Sequence, residues 1–212
     1  MRLLHHIYRR FHQQFPLYYW VTQGFQVPCP NPVKWKLLLR HGGRGIWIET
    51  GTYLGDTTLF LAGKSKKVIT IEPSLELFNS AKERFKGYKN IEIVNSDSEN
   101  CLGGIVSNLG NLSGEEISFW LDGHFSEGLT FQGIQDTPVI FELNTISQLF
   151  DTPNNIVIFV DDVRCFNPKN KEYETYPSLV LLLEWCQSQN LMWLIENDIL
   201  IMKKSFVQEI SP

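Results

Sequence analysis

Apolar runs of strand length recur along the chain, separated by stretches with helical spacing. Gly45–Thr50, Val68–Glu72, Ile91–Asn95, Ile117–Leu121 and Ile156–Val160 each read as a buried strand. Between them, Thr57–Gly63, Ser74–Phe85, Glu99–Leu109 and a stretch from Thr137-Pro138 to Phe150 read as helices. Ser74–Phe85 carries the clearest stripe, with Leu75, Leu77, Phe78, Ala81 and Phe85 apolar. Gly103-Gly104 weakens Glu99–Leu109 as a helix. Ahead of the first strand, Asn31 reads as an N-cap and Pro32 as the first helical residue. Val33–Arg40 continues that helix until Gly42-Gly43 stops it.

Strands alternating with helices imply a parallel sheet with right-handed crossovers and helices on both faces. The C-terminal stretch breaks the rhythm. After a helix at Pro177–Ser188, Leu191–Ile195 and Ile199–Lys203 read as strands joined by Glu196-Asn197-Asp198. So short a link permits only an antiparallel pair. The expected fold is therefore α/β, a seven-stranded, mostly parallel sheet with a reversed C-terminal strand.

The 212 residues suit one domain, and a 43% hydrophobic content readily supplies its core. Pro28-Cys29-Pro30-Asn31-Pro32 marks a boundary between an N-terminal arm, residues 1–30, and the domain proper, residues 31–212. The arm reads as a helical segment that covers the sheet, the pocket or a partner subunit, the last giving a homo-oligomer. A membrane-surface position is the alternative. The arm lacks the apolar core and cleavage site of a signal peptide, and no stretch has the length of a transmembrane span. A net charge of −4 gives no basic footprint for nucleic acid. Cys29, Cys101, Cys165 and Cys186 form no Cys-x-x-Cys pair and read as reduced packing residues of a cytoplasmic protein.

Candidate chemistry gathers where the strands end. In open α/β sheets that edge binds ligands. The first strand runs into Glu49-Thr50-Gly51-Thr52-Tyr53-Leu54-Gly55. Gly51 tolerates a positive φ and a close ligand, and Gly55 lets the chain pass tightly into a helix whose amino end favours a negative group. Glu72 ends the second strand, where mononucleotide-binding folds use an acid to accept hydrogen bonds from ribose hydroxyls. Asn95-Ser96-Asp97-Ser98 follows the third strand, as an adenine contact or as a plain turn. A nicotinamide dinucleotide is the competing cofactor, but it asks for Gly-x-Gly-x-x-Gly, and Tyr53 stands at the second glycine position. Asp122 ends the fourth strand and Asp161-Asp162 the fifth. Three carboxylates are hard oxygen ligands that suit Mg²⁺. Caps or metal-free cofactor contacts are the alternative roles for these acids. His124 is a candidate general base, cofactor contact, metal ligand or loop cap. The loops His124–Asp136 and Arg164–Tyr176 are expected to build the acceptor pocket, the second with Arg164, Phe166, Tyr173 and Tyr176.

The order Glu-x-Gly-x-Tyr-x-Gly-x-Thr, Ile-Glu, a Ser/Asp turn, Leu-Asp and Asp-Asp resembles the class I S-adenosylmethionine-dependent methyltransferases, which have a Rossmann-like fold. Within them it is most similar to the metal-dependent O-methyltransferases of the catechol and macrolide-sugar types. The resemblance covers about Gly45 to Arg164. It departs from the family in lacking Asp-x-Gly-x-Gly, and in having no lysine between Asp122 and Lys169. It implies S-adenosylmethionine lined by Glu49, Gly51, Thr52, Tyr53, Gly55, Thr57, Glu72, Pro73, Asp97, Ser98 and Asp122. It implies a divalent cation, Mg²⁺, on Asp122, Asp161 and Asp162, with Asp122 catalytic; His124, read as a catalytic base from its imidazole, stands in a loop where the family commonly uses a lysine. The implied reaction is methylation of a hydroxyl on a small molecule such as a sugar, catechol or natural product. A non-catalytic binding or regulatory protein on the same fold is the alternative.

Overall fold

The computed structural model describes residues 16–123, 137–169 and 171–204. The chain passes through α1 (Pro16–Thr22), α2 (Asn31–His41), β1 (Ile46–Thr50), α3 (Asp56–Ala62), β2 (Lys67–Ile71), α4 (Leu75–Arg84) and β3 (Ile91–Val94). It continues through α5 (Ser98–Gly110), β4 (Glu116–Leu121), α6 (Val139–Ile146) and β5 (Asn155–Val160). It then forms α7 (Leu179–Ser188), β6 (Leu191–Glu196) and β7 (Ile199–Lys204). His124 and the rest of the 124–136 loop lie outside the described residues, as does the arm before residue 16.

One seven-stranded sheet results, in the order β3-β2-β1-β4-β5-β7-β6. The first five strands of that order pair in parallel. β7 runs antiparallel to both its neighbours. The chain winds outward from β1 to β3 and then returns to place β4 on the other side of β1. That reversal is the switch point at which a crevice opens outside the strand ends. Register makes the crevice concrete. Thr50 pairs with Leu121, and Leu121 with Val160. The next residues along, Gly51, Asp122 and Asp161, therefore leave the sheet at one level.

Side chains alternate between two cores because strand residues point to opposite faces. Ile48, Phe119, Ile158 and Leu200 face Leu102, Val106, Val139, Leu143 and Leu182 of α5, α6 and α7. Trp47, Trp120, Phe159 and Ile201 face Leu37, Leu38, Leu61 and Ala62 of α2 and α3. A parallel sheet covered on both faces explains why its strands read as continuous apolar runs.

Most boundaries shift by a residue or two from the sequence reading, and three helices differ for a physical reason. Helix α2 begins a residue earlier, with Pro30 as its N-cap: the Pro30 carbonyl accepts from Val33 N at 2.8 Å, and no side chain caps the end. Helix α5 runs unbroken through Gly103-Gly104. Each glycine costs about 1 kcal/mol, which burial of Leu102, Val106 and Leu109 outweighs. Helix α6 stops at Ile146 and tightens into a 3₁₀ turn over Ser147–Leu149. Among the described residues no helix is long and apolar enough to cross a membrane. Helix α1 buries none of its side chains.

Phe159 sits between Trp47 and Trp120, with ring centroids 5.6 and 6.5 Å away. Phe159→Ala is predicted to cost about 3–5 kcal/mol of folding stability, the range for a buried aromatic. Urea unfolding followed by tryptophan fluorescence reads this directly. A loss of under about 1 kcal/mol would contradict the two-core packing.

Candidate functional site

The turn after β1 is built around a backbone that no side chain can enter. Gly51 and Thr52 N–H both donate to the Ile71 carbonyl, at 3.0 and 3.2 Å. Asp122 N–H donates to Thr50 O at 3.1 Å. Gly51 has φ +91°, and a Cβ there would lie 2.7 Å from the Asp122 carbonyl oxygen. Gly55 has φ +79°, and its Cβ would lie 2.4 Å from Phe85 Cζ. Both glycines thus have a steric reason, as well as a conformational one.

Two glutamates stand behind and beside this turn. Glu49 is buried, and its Oε2 accepts from Thr58 Oγ1 at 2.5 Å and Thr70 Oγ1 at 2.7 Å. Burial pushes its carboxyl up to about 7, against the pull of both threonines. Glu72 accepts from Tyr53 N–H at 2.8 Å on Oε2 and from Ser74 N–H at 2.9 Å on Oε1. Burial raises its carboxyl above the usual range, while those N–H groups oppose the shift. A carboxylate has about four lone-pair sites, so Glu72 is held in place with acceptor capacity remaining.

The other expected cofactor residues divide. Thr52 faces inward and shares a 2.6 Å hydrogen bond with Thr70, while the Tyr53 ring is exposed beside it. Pro73 is tied to the third strand end, its carbonyl accepting from Asn95 Nδ2 at 3.3 Å. Thr57 turns toward α2 and accepts from Trp35 Nε1 at 3.1 Å. Asp97 caps α5, accepting from Asn100 N–H at 3.2 Å. Ser98 is buried beside Glu142 of α6.

Asp122, Asp161 and Asp162 do converge: one oxygen from each lies within 4.8 Å of the others. Asp162 reaches the cluster through a left-handed backbone, φ +57°. The cluster is not a bare set of acids. Lys34, from α2, donates to Asp161 Oδ2, and its Nζ lies 3.6 Å from Asp162 Oδ1. Arg164 Nη1 donates to Asp162 Oδ1 at 2.6 Å and also to Asp198 Oδ2. Burial would push Lys34 down, but Asp161, Asp122 and Asp162 together hold its ammonium above the usual lysine range. Asp122 is half-buried. Burial, then the charge of Asp161, holds its carboxyl well above normal, with Lys34 opposing. Burial also raises Asp161, with Lys34 as the main opposing influence. The direct contact makes Asp161 the carboxylate partner of Lys34.

No protein-family model matches the chain. Over 50 residues, 24% of this chain, it is 46% identical to a ribosomal RNA small subunit methyltransferase A of Caldanaerobacter subterraneus. Over 65 residues, 29% of this chain, it is 45% identical to a protein-L-isoaspartate O-methyltransferase of Methanococcus vannielii. Those segments span only 19% and 31% of the two relatives. Among solved structures, the N-methyltransferase NodS from Bradyrhizobium japonicum aligns with a TM-score of 0.53 at 14% identity, over 82% of this chain and 94% of that one. An O-methyltransferase from Bacillus cereus in complex with SAH aligns with a TM-score of 0.50 at 17% identity, over 86% and 85% of the two chains. The chain thus shares its fold with these two methyltransferase structures.

Several residues at this edge carried no sequence signal. Thr58 and Thr70 hold Glu49, yet nothing local separates them from other threonines. Lys34 is 127 residues from Asp161, so its pairing is invisible to spacing. The Arg164–Tyr176 segment corrects an expectation. Phe166 and Tyr176 are buried in the core, with rings 5.5 Å apart, because the segment folds back to join α7. Arg164 is committed to Asp162 and Asp198. The other expected pocket loop, with His124, lies outside the described residues.

Glu142 was also missed. It is buried behind the Asp122–Gly123 turn, where a Cβ on Gly123 would lie 3.4 Å from Thr50 Oγ1 and 3.8 Å from Glu142 Oε1. Burial pushes its carboxyl up to about 7, with the Ser98 and Thr50 hydroxyls opposing and Glu99 adding to the rise. An acid raised on folding stabilises least once ionised: between its unfolded value of 4.5 and about 7 the unfolded chain binds fewer protons, so stability falls as pH rises. Glu142→Gln removes that loss. Its stability advantage over wild type is predicted to grow from pH 4.5 to 7 by about 3 kcal/mol and then level off. Urea unfolding of both proteins across that range is the measurement. A pH-independent difference would contradict the buried acid.

Proposed function

We propose that the chain is an S-adenosylmethionine-dependent methyltransferase acting on a hydroxyl of a small molecule such as a sugar, a catechol or a natural product. The observation that carries this reading is Glu72, its two oxygens fixed by backbone N–H groups beside the steric glycine turn at the switch point. A fixed acid there suits ribose hydroxyls. The methyltransferase names of both sequence relatives support the reaction class, and the SAH complex of one structural neighbour supports the cofactor.

The acceptor follows from charge. Glu49, Glu72, Asp122, Asp161 and Asp162 crowd one edge, and the net charge is −4. Lys34 and Arg164 offset part of that charge, and no basic excess remains to bind a phosphate backbone, which favours a neutral polyol or phenol. The free state of all four thiols supports a reducing compartment such as the cytoplasm.

Asp122, Asp161 and Asp162 are oxygen donors of the type that Mg²⁺ prefers. When bound, such an ion would lower the pKa of an acceptor hydroxyl. The charge of the cluster does not call for it, because Lys34 already lies between Asp161 and Asp162. On this reading the Gly51 turn and Glu72 hold the cofactor, the aspartates orient the acceptor hydroxyl, and His124 takes its proton.

Calorimetry with S-adenosylmethionine tests the cofactor. Wild type is expected to bind, and Glu72→Gln, which keeps the shape but loses acceptor charge, to bind about 1.5–3 kcal/mol more weakly. No wild-type binding at millimolar cofactor would refute the reading.

A further inference from the structure

We propose that Lys34 is the resident cation of the Asp122–Asp161–Asp162 cluster, filling with an ammonium group the place that a divalent ion takes in metal-dependent hydroxyl methylation. The occupancy stands on geometry alone; its catalytic consequence rests on the methyl-transfer reading above.

The position is specific. Lys34 Nζ contacts Asp161 Oδ2 and lies 3.6 Å from Asp162 Oδ1, so it sits between oxygens of two of the three acids. Mg²⁺ needs its oxygens at about 2.0–2.1 Å. An ammonium in that space excludes it by volume and by like charge. Asp162 Oδ1 is further engaged by Arg164 at 2.6 Å. Three acids thus meet two fixed cations before any ion arrives.

The lysine is delivered by a rigid element. Leu37 and Leu38 of α2 are fully buried against Trp47, Trp120 and Phe159. Trp35 stacks on Phe60 at 4.7 Å and donates to Thr57. The Lys34 side chain then passes the Trp120 ring, with Nζ 5.9 Å from its centroid, and is only 14% exposed. Packing of the helix immediately after Lys34 fixes where its ammonium can go.

The chemistry follows. An ammonium has three N–H donors, and among the described residues Asp161 takes one of them. The others can bind the acceptor oxygen and stabilise negative charge developing on it. In transfer, the oxygen–methyl bond forms as the sulfur–methyl bond breaks, sulfur keeps the electron pair, and the hydroxyl proton passes to a base. Lys34 supplies positive charge and takes no proton in this step.

The test is Mn²⁺ binding read by electron paramagnetic resonance on wild type, Lys34→Met and Lys34→Arg. Wild type and Lys34→Arg are expected to show no stoichiometric site at millimolar Mn²⁺. Lys34→Met should gain one, tighter on the order of tenfold or more, and lose it when Asp161→Asn is added. Should Lys34→Met not fold, Lys34→Gln, neutral and still able to donate to Asp161, takes its place with the same expectation. A stoichiometric wild-type site whose affinity is unchanged in the neutral variant would overturn the proposal. In turnover, wild type should resist excess chelator, whereas loss of wild-type activity on chelation would count against it. Cofactor calorimetry on the same samples separates the two ideas, since failure to bind S-adenosylmethionine refutes the methyl-transfer reading whatever Mn²⁺ does.

Discussion

The parallel pairing of β1 with β4 is the contact from which the rest of the site follows. It sets Thr50 beside Leu121, and so brings the Gly51 turn against the Asp122 backbone with no room for a side chain between them. β5 on the far side of β4 adds Asp161 at the same level. Without that adjacency the acids that close three separate strands would have no common edge. The pairing itself rests on burial of Trp47 and Ile48, Phe119 and Trp120 on opposite faces, which fixes the register because a one-residue slip would invert every side chain.

Such an edge is costly to build. Glu49, Glu142, Asp122 and Asp161 are all held above ordinary carboxylate behaviour, each chiefly by burial. Buried ionisable groups are retained against stability where partners or function hold them. Here the partners differ in kind. Threonine hydroxyls hold Glu49, backbone N–H groups hold Glu72, and whole cationic side chains hold Asp161 and Asp162. The first two arrangements draw on β1, β2 and the turns and helix that follow them. The third draws on α2, which reaches across the edge from the other end of the chain.

This difference explains what could be read from the sequence. The strands, the reversed hairpin, Glu72 and the three converging aspartates were legible, because each depends on a short apolar run and the acid that ends it. Lys34 was not, because a lysine on a helix face looks like any solvated lysine until the tertiary packing of Leu37 and Leu38 aims it. Thr57 and Thr58 are adjacent, yet one turns to Trp35 and the other to Glu49, since successive helical residues point about 100° apart. Phe166 and Tyr176 read as pocket aromatics because a loop composition does not reveal which way it folds. The Gly103-Gly104 pair was misleading for the opposite reason: burial on one face outweighed local propensity.

The sheet order has a consequence for synthesis. β7 lies between β5 and β6, so the last strand made must fill an interior place in the sheet, with β6 at the edge outside it. The β6–β7 hairpin can form by local contacts, but until it docks, the β5 edge stays open. That edge belongs to an almost wholly apolar strand, Asn155–Val160, with unpaired backbone groups that invite pairing with another chain. A nascent or truncated chain lacking β7 thus leaves that edge open to aggregation, and the full hairpin closes it.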